Sequence, residues 1–126
     1  MSDAKSSRSE KSSRRDRYIP DRGDFARMVL HPHTGREQGG EWPVLVLSTK
    51  RFSSVTGYAL VAPITRTVRD WPFEVPIEPG HRVGGVVLSD QARSVDFMAR
   101  HARFLGRAPA RLTETVAERI TTILET

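Results

Sequence analysis

The sequence predicts a small antiparallel β-barrel, or a strongly curved sheet, closed by one C-terminal helix. Two observations predict this mainly β class. Short runs of β-branched, leucine and aromatic residues, separated by Gly, Pro and Asp, recur through the middle of the chain and indicate five or six strands. The last stretch instead repeats its apolar residues at helical spacing. A length of 126 residues fits one domain of this kind.

The strands are predicted in chain order from these runs. Residues 25–30 form the first, which ends at a His-Pro and Thr-Gly loop. "PVLVLS" (43–48) is a near-continuous apolar run, so it predicts a strand buried on both faces with Pro43 at its first position. The stretch "TKRFSSVTG" (49–57) is predicted as a connection. The later strands are expected at Tyr58–Thr65, 73–75, Val86–Leu88 and 93–97.

The C-terminal segment predicts an amphipathic helix over residues 110–124, with Pro109 suited to its first turn. Its apolar residues fall at i, i+4, i+8, i+11 and i+12, namely Leu112, Val116, Ile120, Ile123 and Leu124. We expect this face to close the barrel. A role of the same face in a dimer interface is the alternative.

Residues 1–17 are rich in Ser, Arg and Lys and predict a disordered basic tail ahead of one folded domain at residues 18–126. Residues 1–22 hold seven Lys or Arg against four acidic residues, a net charge of +3. Such a tail is compatible with attraction to nucleic-acid phosphates, and also with a solvated leader. The absence of Cys excludes disulfides and cysteine-ligated metals. Without an apolar leader or a run long enough to span a membrane, a cytoplasmic protein is expected.

Histidine and tryptophan residues carry weaker signals. His31 and His33 have the i, i+2 spacing of one strand face, but Pro32 favours a turn and no third ligand lies nearby. The sequence therefore predicts no metal site and no cofactor. Trp42 and Trp71 each precede a proline where a strand is expected to begin. Packing over a strand end or a subunit interface is one interpretation, and a stacking platform for an unpaired base is the other.

A set of polar residues lies where two predicted strands meet their loops. If the two strands pair, these side chains converge on one spot. A carboxylate, a hydroxyl and guanidinium groups suit cleavage of an RNA phosphodiester, because one group takes a proton from the 2′-hydroxyl and donors stabilise the charged phosphorane. An ordinary solvated loop is the alternative. The members are Arg36, Glu37, Gln38, Glu41, Thr65 and Arg66.

At these residues the chain resembles the MazF/PemK family of toxin endoribonucleases. The blocks follow the family's order: "YIPDRGD" (18–24), "HPHTGREQGGEWPVLVLS" (31–48), "VAPIT" (61–65), "WPFEV" (71–75) and "GVVLSDQARSVDF" (85–97). The resemblance implies a small SH3-like, plasmid-maintenance-toxin barrel that forms a homodimer. It also implies metal-independent cleavage of single-stranded mRNA at short recognition sequences, which inhibits translation. A MazE-like antitoxin of a type II toxin–antitoxin system would hold the toxin inactive.

The resemblance further implies roles for individual residues. Glu37 and Thr65 fall on catalytic positions, and Gln38 falls on the family's loop glutamine. Trp42 stands where most members have the arginine of an Arg-Pro pair, which acts on the scissile phosphate. An indole has a single neutral donor and cannot replace the paired charged hydrogen bonds of a guanidinium. The residues expected to contact RNA are Arg36, Gln38, Glu41 and Arg66.

Two hypotheses follow for the activity. In the first, Arg36 or Arg66 replaces the missing arginine, Glu37 acts as the base, and the chain cleaves RNA. In the second, the chain has lost cleavage and binds RNA or an antitoxin. A third interpretation, the gyrase-poisoning toxins of the same fold, is disfavoured because those proteins depend on a C-terminal Trp-Gly-Ile. This chain instead ends Ile-Leu-Glu-Thr.

Overall fold

The computed structural model describes residues 17–30 and 40–125. A 3-10 turn at Ser89–Gln91 lies between the strands at Val86–Leu88 and Arg93–Asp96. The described residues confirm a mainly β fold with a C-terminal helix. In chain order the elements are β1 (Asp24–Val29), β2 (Glu41–Val46), α1 (Lys50–Thr56), β3 (Tyr58–Thr65), β4 (Glu74–Pro76), β5 (Val86–Leu88), β6 (Arg93–Asp96), β7 (Arg103–Arg107) and α2 (Ala110–Glu125).

The strands pair antiparallel in the order β4-β5-β3-β2-β1-β7. The remaining strand, β6, pairs with the first half of β3, whereas β5 pairs with its end at Ile64 and Thr65. Strand β3 is therefore shared between two parts of the sheet. Within the described residues the pairings form a sheet with β4 and β7 at its ends, and they do not describe a closed barrel.

Alternating residues of the central strands bury two apolar clusters, one on each face of the sheet. In β2, Leu45 belongs to the first cluster, which also contains Val116 of α2, while Val44 and Val46 belong to the second. All of these side chains are completely buried. The prediction of a strand buried on both faces is confirmed.

Strand β2 begins at Glu41, two residues before the predicted start, so Pro43 lies inside the strand rather than at its first position. Pro43 pairs with Arg27 of β1, but the pairing with β3 begins only at Val44. A proline is tolerated there because one side of the strand carries no ladder partner at that point.

Two elements differ from the sequence prediction. Residues 49–57, predicted as a connection, contain helix α1, which Thr49 caps by accepting a hydrogen bond from the Phe52 amide at 3.1 Å. Gly57 ends the helix with a φ of 80°. Strand β7 was not among the predicted strands, because its sequence Arg-Phe-Leu-Gly-Arg has no regular alternation of apolar and polar residues.

Helix α2 confirms the predicted C-terminal helix. Leu112 and Val116 are buried, and Ile120 packs against the first cluster. Ile123 and Leu124, predicted on the same face, are instead 44% and 80% exposed. The buried face therefore ends after about three turns, and the last turn lies on the surface. No helix among the described residues is long and apolar enough to cross a membrane.

A buried carboxylate joins the N-terminal segment to β7. Asp24, 4% exposed, accepts hydrogen bonds from the Tyr18 hydroxyl, from the Asp21 amide at 3.0 Å and from Arg107 Nη1 at 2.6 Å. Burial, together with the adjacent Asp24 carboxylate, raises the pKa of the Tyr18 phenol above its ordinary value, so the hydroxyl remains a donor. The Tyr18 ring also lies 5.8 Å from that of Phe104.

Asp24→Asn is expected to lower the free energy of unfolding by about 2 kcal/mol. The amide replaces an acceptor-only group with one that turns an NH₂ toward the Tyr18 or Arg107 donors. Denaturant unfolding followed by circular dichroism measures the change. Asp96→Asn is the matched control, because Asp96 is exposed and accepts from the Ala99 amide at 3.1 Å. Equal losses in the two variants would contradict this role of Asp24.

Candidate active site

A cleft of about 430 Å³ opens where β1, β2 and the end of β3 meet the loop before β5. We call it the first cleft. Three arginines and one carboxylate line it among the described residues, so it favours an anionic ligand. Two threonine hydroxyls add neutral hydrogen-bonding groups. Its polar lining consists of Arg27, Glu41, Thr65, Arg66, Thr67 and Arg82.

Strand register explains why these side chains meet. Val29 of β1 lies opposite Glu41, and Val44 of β2 lies opposite Pro63. The start of β2 and the end of β3 therefore lie at the same end of the sheet. Four of the residues predicted from the sequence accordingly line one cleft: Glu41, Trp42, Thr65 and Arg66.

Arg36, Glu37 and Gln38 lie outside the described residues, as do His31 and His33. The described residues on either side of this range, Leu30 and Gly40, are joined by a backbone hydrogen bond of 3.0 Å from amide to carbonyl. Within residues 17–30 and 40–125, no group of three His, Asp or Glu side chains is placed to hold a metal ion.

Trp42 lies between the first cleft and the apolar core. It pairs across the sheet with Met28, and its half-buried side chain packs against the second apolar cluster. The same residue lines the first cleft. The structure thus supports the packing interpretation of Trp42, and it also places this residue beside the arginines.

The cations of the first cleft differ in how they are held. Arg82 Nη1 donates to the Leu105 carbonyl at 3.1 Å, and Arg27 is half-buried in β1. Arg66 is exposed directly after β3. Glu41 pairs with Arg103 at 3.5 Å, and because both side chains are well exposed this ion pair contributes little to stability.

Sequence reasoning did not identify Arg27 or Arg82 as site residues. Arg27 carries one signal, because it is the only charged residue between apolar neighbours in "FARMV" (25–29). Arg82 carries none, because its position depends on how the loop before β5 folds back toward Leu105 of β7.

Gly85 lets the loop before β5 approach the end of β3 closely. Gly85 has a φ of 113°, and a Cβ there would lie 2.2 Å from the Thr65 carbonyl oxygen. At the neighbouring Gly84 a Cβ would make only an ordinary contact, 3.5 Å from Arg66 Nη1. The Thr65 hydroxyl in turn accepts from the Thr67 amide at 3.1 Å. The backbone around Thr65 is therefore fixed from both sides.

A second cleft of about 730 Å³ adjoins the first and shares Trp42, Thr65 and Thr67 with it. Its outer part is lined by Arg69, Trp71, Asp90 and Gln91, among others. Because they share lining residues, the two clefts form one groove along the strand ends. This groove is cationic at one end and aromatic at the other. The chain is therefore a small β-sheet protein whose surface groove suits a phosphate-bearing strand.

Residues 21–124 match the family described as PemK-like, MazF-like toxin of type II toxin-antitoxin system. The chain belongs to this family, and the resemblance seen in its sequence is confirmed. The match covers the sheet and nearly all of α2 and begins after the basic tail.

Comparison with individual proteins agrees with the family match. The chain is 33% identical over 108 residues to the endoribonuclease toxin MazF of Escherichia coli K12, covering 86% of this chain and 96% of that protein. It is 39% identical over 111 residues to the endoribonuclease toxin ChpB of the same strain, covering 83% and 94%. A MazE–MazF crystal structure from Deinococcus radiodurans superposes with a TM-score of 0.78 at 36% identity, covering 85% of this chain and 97% of that one.

Proposed function

We propose that this chain is the toxin of a type II toxin–antitoxin pair and an endoribonuclease. It would cut single-stranded mRNA at a short recognition sequence and so inhibit translation in the cytoplasm. The observation that carries the proposal is the first cleft, which three arginines line together with Thr65. Its family and its relatives, which are named endoribonucleases, support the same activity.

The proposed reaction is transfer at a phosphodiester. The 2′-oxygen forms a bond to the adjacent phosphorus, and the bond from phosphorus to the 5′-oxygen of the next nucleotide breaks. The base takes the 2′-hydroxyl proton, and solvent returns a proton to the leaving oxygen. The products are a 2′,3′-cyclic phosphate and a 5′-hydroxyl. Arginines beside the phosphate stabilise the negative charge of the transition state, so the reaction needs no metal ion.

We assign the base to Glu37, which falls on a catalytic position in the family resemblance and stands three residues before Gly40 in the sequence. Glu41, the next residue, lines the first cleft. Thr65 would contact the phosphate. The cation that replaces the family arginine would be Arg66, which lines the cleft, with Arg36 as the alternative. Contacts to the RNA from Gln38 and Glu41 complete the proposed set.

We also propose a MazE-like antitoxin as the partner of this chain. The Deinococcus radiodurans relative is described as a MazE–MazF structure. An acidic and partly apolar peptide would complement the same groove as RNA does, because arginines and Trp71 line it. Antitoxin and RNA would then compete for one surface.

A homodimer is the proposed assembly. Exposed apolar side chains on and just after α1, Phe52, Val55 and Tyr58, are 42%, 78% and 48% exposed and form a surface suited to self-association. We propose that residues 1–17 remain a basic tail outside the domain, in line with a family match that begins at residue 21.

The second candidate function is a family member that binds RNA or an antitoxin without cleaving. Trp42 favours it, because at the position of the family arginine this chain has an aromatic residue that packs against the second apolar cluster. In this candidate the Trp42 side chain serves the core and makes no charged contact to a phosphate.

A cleavage assay with Trp42→Arg separates the two candidates. We expect the unmodified chain to cut mixed-sequence single-stranded RNA at micromolar concentration. Trp42→Arg should change the rate by less than about tenfold, because Arg27, Arg66 and Arg82 already supply the positive charge. Trp42→Phe, which keeps an aromatic ring and adds no charge, is the control for lost packing. Intact RNA with the unmodified chain and strong cleavage with Trp42→Arg would establish the second candidate instead.

A further inference from the structure

We infer that the second cleft is a base-binding subsite, in which the Trp71 indole stacks on an unpaired base beside the cleaved phosphodiester. The inference rests on the proposed function, which places the reacting phosphate in the first cleft. The two clefts share Trp42, Thr65 and Thr67, so one strand can lie along both without leaving the surface. A volume of about 730 Å³ accommodates a nucleotide.

The exposed indole ring of Trp71 offers a face on which a base can stack. Its side chain is 56% exposed, which is unusual for so large an apolar group. Its indole N–H donates to Asp90 Oδ2 at 3.1 Å. That bond holds the ring by its edge while much of the side chain remains open to solvent. An aromatic ring held in this way is ready to receive a base without first being ordered.

The loop that carries Trp71 is also held in place. The Glu74 carboxylate, 9% exposed, accepts from the Arg69 amide at 3.1 and 3.2 Å. The Glu74 amide donates to the Trp71 carbonyl at 3.0 Å. From α2, Arg119 Nη1 donates to the Pro72 carbonyl at 2.6 Å. Strand β4 and helix α2 therefore fix the backbone on either side of the indole.

Groups that distinguish bases stand beside this ring. The Asp90 carboxylate only accepts hydrogen bonds, whereas the Gln91 amide both donates and accepts. Such groups read the Watson–Crick edge of a stacked base. Arg69 lines the same cleft and can pair with a flanking phosphate. A ring, edge-reading groups and a cation occur together in this cleft, and we assign RNA as its ligand on that ground.

Binding of RNA in which fluorine replaces every 2′-hydroxyl tests the inference independently of cleavage, since no attack can occur. Trp71→Ala should weaken this binding by roughly tenfold or more, and Trp71→Phe should retain most of it because the ring remains. Val68→Ala is the matched control, because Val68 is 58% exposed in the same loop and lines neither cleft in the described structure. Equal affinities for Trp71→Ala and Val68→Ala would overturn the inference.

A second experiment tests whether the stacked base lies next to the cleaved phosphodiester bond. Removing the base next to the cleaved bond should slow RNA cleavage by the unmodified chain at least roughly tenfold. The same removal should slow cleavage by Trp71→Ala little further, because the missing base and the missing indole are the two halves of the same contact. Additive losses would overturn the inference. So would a Trp71→Ala variant that loses affinity for a synthetic acidic and apolar peptide but keeps its affinity for RNA. If fluorinated RNA binds through Trp71 but ordinary RNA stays intact, the cleavage proposal fails while the base subsite stands.

Discussion

Arg66→Ala is expected to lower kcat for RNA cleavage by about 100-fold or more while leaving the melting temperature unchanged. Arg66 follows β3 directly, lines the first cleft and is exposed, so its removal leaves no cavity in the core. Its guanidinium is the cation nearest in sequence to Thr65. If it acts mainly on the charge that develops at phosphorus, the loss appears in kcat rather than in KM.

Three further variants give this result its meaning. Arg51→Ala removes an exposed arginine of α1 that lines neither cleft in the described part of the chain, so cleavage should be unaffected. Arg66→Lys keeps the charge but loses the paired donors, so its kcat should lie between those of Arg66→Ala and Arg51→Ala. Arg36→Ala tests the alternative cation. Strong cleavage that neither Arg66→Ala nor Arg36→Ala slows would show that neither residue is the proposed cation.

The parts of the fold that were predictable from the sequence are those with a regular apolar pattern. Helix α2 repeats Leu112, Val116 and Ile120 on one face, and the same residues pack against the sheet. Helix α1 and strand β7 were missed because each is short and has no such pattern. Ile123 and Leu124 continue the helical pattern but are exposed, because a pattern does not show where a helix passes beyond its packing partner.

Some residues of the candidate site were likewise predictable from the sequence, and others were not. Glu41 begins β2 and Thr65 ends β3, so the antiparallel pairing of these strands was enough to bring the two residues to one end of the sheet. Arg27 and Arg82 reach the first cleft through the register of β1 and the path of the loop before β5, which no local pattern encodes. The need for glycine at position 85 was also not predictable from local sequence, because it arises from contact with Thr65, twenty positions earlier in the chain.

Gly85→Ala is expected to lower the free energy of unfolding by about 3 kcal/mol or more. Two causes act together. The backbone has a φ of 113°, a conformation that residues with a Cβ rarely adopt, and the new Cβ would lie 2.2 Å from the Thr65 carbonyl oxygen. The contact is with backbone on a paired strand, because Thr65 lies opposite Val86, so neither partner can move without disturbing β5.

Gly80→Ala separates the two causes. Gly80 has a φ of 100°, but a Cβ there would meet nothing within 4 Å among the described atoms. Its loss should therefore be limited to backbone strain, about 1–2 kcal/mol. Denaturant unfolding of both variants measures the difference, which represents the close approach to Thr65. The Gly85 variant should also cleave RNA more slowly at temperatures where it remains folded, because relieving the contact displaces Thr65 and Arg66. Equal losses of stability in the two variants would mean that the loop before β5 yields without moving Thr65, and the approach would then play no part in shaping the first cleft.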